Sequence, residues 1–277
     1  MRKDRHNDEL PFQKNNEVSL MNDSALHFYD ELAEDYHLIF EEWTRAIASQ
    51  GETLSRIIRS KLTASVTEET TLLDCSCGIG TQAIGLALNG FKVTATDLSP
   101  VSVERAKKEA ESFGVELNGG VADFRSLDKD VSGMFHIVLS ADNAIPHLLT
   151  DEELLKAASN MYKKLEINGL ILITMRDYDE LVKSKPKATE PRIFDQGKRI
   201  VFQIWDWEEE SAAYLTNHFI MQEIDGVWKT KHNKTRYRAL LREEFSRILT
   251  QAGFSSIEWQ MPSETGYYQP IVTARKK

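Results

Sequence analysis

Between Thr71 and Asp177 short apolar runs alternate with helical patterns, and this alternation restricts the fold more than any other feature of the 277 residues. TLLDCS is an apolar run that ends in turn chemistry, and GTQAIGLALNG reads as a short helix closed by Gly90. KVTATD is a β-branched strand. Ser99 and Pro100 then open a helix, SPVSVERAKKEAESFG, which stops at Gly114. FHIVLSAD is a buried strand. TDEELLKAASNMYKKL begins with Thr150 three residues before Glu153, the pattern of a capping box, and GLILITMRD is a further buried strand. Strands and helices in this order predict βαβ units and a parallel sheet covered on both faces. The predicted fold class is α/β, Rossmann-like.

The flanks are read differently. Residues 1–22 are polar and aperiodic, a loose tail. Ser24 can cap a helix whose apolar positions Leu26, Tyr29, Leu32 and Tyr36 follow helical spacing, and a second helix runs from about Trp43 to Leu62. The core is expected over 23–182 and 239–277, with these N-terminal helices as a lid. Residues 183–238, with RIVFQIWDW, SAAYLTNHFIMQ and GVWKTKHNKTRYRALL, read as a β-rich insertion on the substrate side. The core resumes with the helix REEFSRILTQAG and the strands FSSIEWQM and QPIVTAR.

A net charge of −9 disfavours a nucleic-acid partner. No apolar run reaches the ~18 residues of a membrane span, and the N-terminus lacks a secretory pattern. Cys75 and Cys77 are the only cysteines, too few for a zinc site, so no metal is expected. These features predict a soluble, reduced, cytoplasmic protein. Oligomeric state is open, a homo-oligomer among the options.

The segment LLDCSCGIGTQAIGLALNGFKVTATDLS carries the strongest functional signal. A glycine turn after a strand lets a ligand approach the backbone, and the following helix presents unpaired N–H groups. Asp97, 19 positions after Gly78, can accept the hydroxyls of a ribose. Gly78-x-Gly80-x-x-Ala83 also satisfies the dinucleotide pattern of NAD enzymes, and a glycine turn without any ligand is a further option. Asp74 weighs against NAD: a carboxylate directed into the crevice would repel a diphosphate and attract a cation.

LLDCSCGIGTQA resembles the first motif of class I S-adenosylmethionine-dependent methyltransferases, an acid followed by Gly-x-Gly. The resemblance implies S-adenosyl-L-methionine as cofactor and Asp97 as its ribose acid. Asp123 would meet the adenine amino group and Phe124 the ring face, although Phe124 also suits the core and Asp123 a turn cap. Cys75, Leu98 and Ala141 complete the implied cofactor set, the cysteines as small packed residues, with Tyr36 and Trp43 in the lid. The family's closing antiparallel pair, matched by FSSIEWQM and QPIVTAR, implies a mostly parallel seven-stranded sheet with an antiparallel last strand.

Three further stretches resemble glycine and sarcosine N-methyltransferases: YHLIFEEWTRAIASQG, SADNAIPHLL and ITMRDYDELV. Carried over position by position, they mark Asn143, His147 and Arg176 as substrate residues. Arg176 would grip the carboxylate of an amino acid through paired hydrogen bonds, unless it is spent on an ion pair with Asp177, Asp179 or another acid. Asn143 would orient the amine through its side-chain carbonyl, unless it only shapes a turn. His147 is as well suited to packing. Where the family places an arginine on the cofactor carboxylate this chain has Ala46, with Arg45 beside it. Tyr214 and Tyr237 are available in the insertion without an assigned place. The expected reaction is methyl transfer to the amine of glycine, sarcosine or a similar amino acid. The alternatives are another small-molecule acceptor, or a module that binds the cofactor without turnover.

Overall fold

A computed structural model describes residues 25–62, 67, 69–209 and 211–277. The predicted tail and the Ser24 cap lie outside the described residues.

Helix α1 covers residues 25–32, and a 3-10 turn, Tyr36–Ile39, leads to α2 (Trp43–Lys61). One continuous helix through Tyr36 was expected. It ends early because Arg105 captures the Ala33 and Glu34 carbonyls, which a continuing helix would need for its own ladder. The core then runs β1 (Thr71–Asp74), α3 (Thr81–Leu88), β2 (Lys92–Asp97), α4 (Pro100–Ser112), β3 (Asn118–Val121), α5 (Leu127–Asp130), β4 (Phe135–Ser140), α6 (Asp151–Lys164), β5 (Leu165–Thr174) and α7 (Tyr178–Ser184). After the insertion it closes with α8 (Arg242–Gln251), β10 (Ser255–Gln260), α9 (Pro262–Thr265) and β11 (Ile271–Arg275). These strands form one seven-stranded sheet in the order β10-β11-β5-β4-β1-β2-β3. β11 slots between β5 and β10 and runs antiparallel to both, as the closing pair led us to expect.

The central strands are buried on both faces: Leu72, Leu73, Ile137, Val138, Leu139, Ile171, Leu172 and Ile173 are inaccessible to solvent. Helix starts follow their sequence signals. Ser99 Oγ accepts the Ser102 N–H at 3.0 Å, with Pro100 in the first helical position. Thr150 Oγ1 accepts the Glu153 N–H at 3.2 Å, but the Glu153 carboxylate is drawn to Arg125 Nη1 at 2.7 Å, so only half of the expected capping box is made. α2 packs on α3 at Gly51 and Gly85, where a Cβ on either would come within 2.5 Å of the other helix's backbone.

The insertion is a separate antiparallel sheet, β6 (Arg192–Phe194), β7 (Arg199–Trp207), β8 (Ala213–Ile224) and β9 (Val227–Arg238), in sequential order. β8 and β9 join through Asp225-Gly226, both at positive φ, the signature of a tight hairpin turn. On its buried face Val201 and Ile220 pack with Phe28 and Leu32 of α1. Trp205, Tyr214 and Tyr237 join the main core with Tyr178. The sheet therefore stands over the carboxyl ends of β4 and β5, where open α/β folds bind ligands. Among the described residues no helix is long and apolar enough to cross a membrane.

Candidate active site

The turn from β1 to α3 forms the floor of a crevice. Gly78 (φ +52°) and Gly80 (φ +94°) adopt left-handed backbone that side chains resist. A Cβ at Gly78, which lines the crevice, would meet nothing within 4 Å among the described residues, whereas one at Gly80 would meet Ile84 at 3.0 Å and Ala106 at 3.2 Å. The first glycine thus leaves room for a ligand, and the second lets the turn pack.

Asp97 Oδ2 accepts the Gly78 N–H at 2.8 Å and Oδ1 accepts the Ser99 N–H at 2.9 Å. Burial pushes its pKa up, and hydrogen bonds from the Ser99, Gly78 and Leu98 amides work against that. A carboxylate has about four acceptor positions, more than these amides of the described residues fill, so acceptor capacity is left for a ribose hydroxyl. Asp97 and Leu98 line the crevice together with Cys75, Gly78, Asp123, Phe124, Ala141, His147 and Tyr36. Helix α1 closes it through Ala25 and Tyr29.

Three expected cofactor residues do not line it. Gly80 serves the turn from behind. Trp43 donates its indole N–H to Thr81 Oγ1 at 3.0 Å and meets Phe113 edge-on, bracing α3 from the rear rather than covering the crevice. Asp74 was expected to point into the crevice. Its Oδ1 instead accepts the Ser76 N–H at 3.2 Å, which folds the carboxyl beneath the turn, and its Oδ2 is buried without a hydrogen-bond partner among the described residues. Burial raises its pKa to about 7, the Ser76 amide opposes this, and the charge of Asp97 adds to it. Arg45 is exposed and lines neither cavity.

Asp123 is held by Arg125: Nε lies 3.0 Å from both carboxylate oxygens and Nη2 lies 2.6 Å from Oδ2. Its Oδ1 also accepts the Arg125 backbone N–H at 2.8 Å, so the turn role is real alongside the position on the crevice. Phe124 both lines the crevice and packs on the core. Burial first, then neighbouring aspartates, push the Cys75 and Cys77 thiols up, which keeps them neutral.

A second cavity, of about 830 Å³, opens beside the first under the inserted sheet. Arg176 and Asn143 line it. The expected ion-pair alternative for Arg176 is not what forms: Asp177 and Asp179 pair with Arg242 at 2.8 and 3.3 Å. Arg176 donates to the Tyr214 hydroxyl at 2.7 Å and to Gln203 Oε1 at 2.9 Å, and its guanidinium lies 4.9 Å from the Trp205 ring centroid and 5.3 Å from that of Tyr237. All these partners are neutral. Among the described residues two of its five N–H groups are taken, which leaves donor capacity for an anion.

Asn143 differs from expectation in chemistry. Its Oδ1 accepts the Arg176 N–H and the Tyr178 hydroxyl, both at 3.0 Å, while Nδ2 is buried with no partner among the described residues. Because the backbone N–H can only donate, the carbonyl orientation is forced. The polar atom of Asn143 left without a partner among the described residues is therefore a donor, not an acceptor. His147 Nε2 lies 2.8 Å from the Tyr29 hydroxyl and its ring 4.2 Å from that of Tyr237. Burial, and then Arg176, lower its pKa to about 3, so the imidazole is neutral.

Tyr214 and Tyr237 find their places opposite one another in the β8–β9 register, the first on Arg176, the second between Arg176 and His147. Sequence reading missed Gln203, Trp205, Tyr268 and Asp142. Asp142 carried a usable signal, a carboxylate at the carboxyl end of a buried strand like Asp97. Among the described residues no cluster of His, Cys, Asp and Glu is arranged for a metal ion.

Residues 72–169 match the family model described as a methyltransferase domain. A glycine/sarcosine N-methyltransferase of Parasynechococcus marenigrum is 29% identical over 159 residues, which cover 56% of this chain and 54% of the relative. The chain thus spans about half the length of that curated relative. A solved S-adenosylmethionine-dependent methyltransferase from Clostridium acetobutylicum superposes with a TM-score of 0.68 at 14% identity, over 82% of this chain and 90% of that one. The S-adenosylmethionine-bound CalS10, an amino pentose methyltransferase from Micromonospora echinaspora, superposes with a TM-score of 0.67 at 16% identity, over 98% and 100%. At these identities the superpositions establish the fold.

Proposed function

We propose, from the premise that the chain carries a class I S-adenosylmethionine-dependent methyltransferase domain, that it methylates the amine nitrogen of a small molecule bearing a carboxylate, an amino acid of the glycine and sarcosine type or larger. The observation that carries this reading is Arg176: a guanidinium facing a cavity beside the cofactor crevice, with only neutral partners among the described residues. A cation in such a place is stabilised by an anion from outside.

The residues present fit the cofactor. Gly78 leaves space that a Cβ would fill, Asp97 retains acceptor capacity for a ribose, and the buried Asp74 and Asp97 carboxyls favour a cation nearby. When bound, S-adenosyl-L-methionine would supply an electrophilic methyl group on a positively charged sulfur. The chain's contribution is then alignment and exclusion of water. Arg176 anchors the acceptor's carboxylate, Asn143 holds the Arg176 backbone in place, and the aromatic walls Trp205 and Tyr237 hold the remainder. Tyr29 and Tyr36 close the crevice from the N-terminal side. His147, neutral and engaged by Tyr29, holds the lid.

A second reading is favoured by size. A cavity of about 830 Å³ lies in the range that encloses drug-sized ligands and far exceeds what glycine fills. It supports a bulkier acceptor, and the amino sugar named for CalS10 is one such class.

Calorimetric titration with S-adenosylmethionine, followed by radiolabelled methyl transfer to a panel of amino acids and amino sugars, tests both. Binding with transfer to carboxylate-bearing amines is expected. No binding by the wild type, or undiminished binding by Asp97→Ala, overturns the reading. Tight binding with no product from any acceptor would mark a non-catalytic binding module.

A further inference from the structure

The two cavities share three lining residues: Tyr29, Tyr36 and Asp142. A methyl group crossing from one to the other must pass these side chains, and Asp142 alone among them carries a charge. Its Oδ2 accepts the Tyr36 hydroxyl at 2.6 Å and its Oδ1 the Tyr268 hydroxyl at 2.5 Å. Among the described residues no lysine or arginine lies within ion-pair distance of it. Arg192 interacts with its charge from elsewhere on the second cavity.

The backbone there is strained to hold this position. Asp142 (φ +57°) and Asn143 (φ +67°) are consecutive non-glycine residues in left-handed conformation. The Asp142 N–H is tied to Thr174 Oγ1 at 2.9 Å and the Asn143 N–H to the Thr174 carbonyl at 3.2 Å, which fixes the end of β4 against the end of β5. Strain of this kind persists only where the surroundings enforce it. A half-buried carboxylate with hydroxyl partners on both oxygens retains two acceptor positions.

We propose that Asp142 holds the accepting amine nitrogen at the point of methyl transfer, with Tyr36 and Tyr268 orienting its carboxylate. Together with Arg176 it selects a zwitterionic acceptor, an amine whose anionic group lies apart from its nitrogen. In the transfer the nitrogen lone pair forms the N–C bond while the S–C electron pair returns to sulfur. The positive charge moves to nitrogen, where the Asp142 carboxylate accepts an N–H hydrogen bond. The proton on the new ammonium leaves with the product to solvent. This inference rests on the methyltransferase reading.

The test needs no knowledge of the acceptor. Sinefungin carries a primary amine where the cofactor carries its methyl-bearing sulfonium, and S-adenosylhomocysteine carries neither. Calorimetry on the full chain should show sinefungin bound roughly tenfold or more tightly than S-adenosylhomocysteine, the scale of one charged hydrogen bond. Asp142→Asn should cut that preference about fivefold or more, by weakening sinefungin more than S-adenosylhomocysteine, while any share owed to Asp74 and Asp97 persists. Equal binding of both by the wild type, or a preference undiminished in Asp142→Asn, overturns the assignment while leaving the methyltransferase reading intact. If the wild type binds neither compound, the methyltransferase reading itself falls. Should Asp142→Asn fail to fold, Asp142→Ser is measured in its place and read by the same ratio.

Discussion

The side-chain carbonyl of Asn143 accepts the backbone N–H of Arg176 at 3.0 Å, so the segment that follows β4 sets the height at which the β5 arginine enters the second cavity. The same oxygen accepts the Tyr178 hydroxyl. Asn143→Ala should leave the Arg176 backbone N–H unmatched, while the Tyr178 hydroxyl can turn to Tyr214 at 3.1 Å, and cost about 1–3 kcal/mol of stability, read as a lowered Tm. Asn143→Asp keeps an acceptor for both donors but replaces the unpartnered N–H with a second oxygen. It should fold better than the alanine variant yet bind carboxylate-bearing acceptors at least as poorly. Comparing Tm with acceptor KM in the two variants separates the structural role from the substrate role.

Arg176 rests on neutral groups, so its removal should disturb the fold less than the loss of an ion-paired arginine would. Arg176→Ala should raise the KM for amino-acid acceptors by tenfold or more and leave the cofactor Kd nearly unchanged. Arg176→Lys keeps the charge but not the planar fork and should recover only part of the loss. An unchanged KM for every amino acid in the alanine variant removes the carboxylate role.

The two glycines of the β1–α3 turn should fail in different ways. Gly80→Ala places a Cβ against Ile84 and Ala106 at left-handed φ, and about 1–3 kcal/mol of stability should be lost. Gly78→Ala meets no atom of the described residues within 4 Å, so the fold should lose only about 1 kcal/mol to backbone strain, whereas the added methyl stands where a nucleoside would approach. Cofactor affinity should therefore fall more in Gly78→Ala than its stability does. Thermal melts run with and without S-adenosylhomocysteine read both quantities.

How far the sequence foretold this site follows from the range of the contacts. β1, β4 and β5 were legible because a parallel strand buried on both faces is a continuous apolar run, β2 by its β-branched residues, and Ser99, Pro100 and the glycines punctuate them. Asp97 was legible for the same reason, being the last residue of such a strand. The pairing of Tyr214 with Tyr237, and of Arg176 with Gln203, was not, because it depends on the register of strands in a second sheet and on how that sheet stands over the first. Strand-end position also cannot tell which way a side chain turns. Asp74 ends its strand as Asp97 does, yet one local hydrogen bond to Ser76 folds it beneath the turn. Asp142 was passed over beside Asn143 for the converse reason: nothing local announces that Tyr36 and Tyr268, distant in the chain, converge on it.

Asp74 gives the site a pH dependence whose sign can be worked out. In the ligand-free protein its carboxyl titrates at about 7, well above the ordinary aspartate value, because it is buried. The folded state therefore holds this proton more tightly than the unfolded chain does, and this group's effect is a loss of stability as pH rises from about 4 to about 7. A bound cation reverses the preference by favouring the carboxylate, so cofactor binding near neutral pH should release a proton. Affinity for S-adenosylmethionine should rise between pH 6 and pH 8, with a slope of up to about one decade per pH unit below the titration point. Asp74→Asn cannot ionise and should flatten both trends, with little loss of fold because the amide fits the same space and keeps an acceptor for the Ser76 N–H. His147, with its pKa at about 3, contributes no inflection in this window. Calorimetry of the wild type and Asp74→Asn in two buffers of different ionisation enthalpy measures the proton directly. A wild-type affinity that is level from pH 6 to pH 8, with no proton released, would show that Asp74 does not respond to the cofactor's charge.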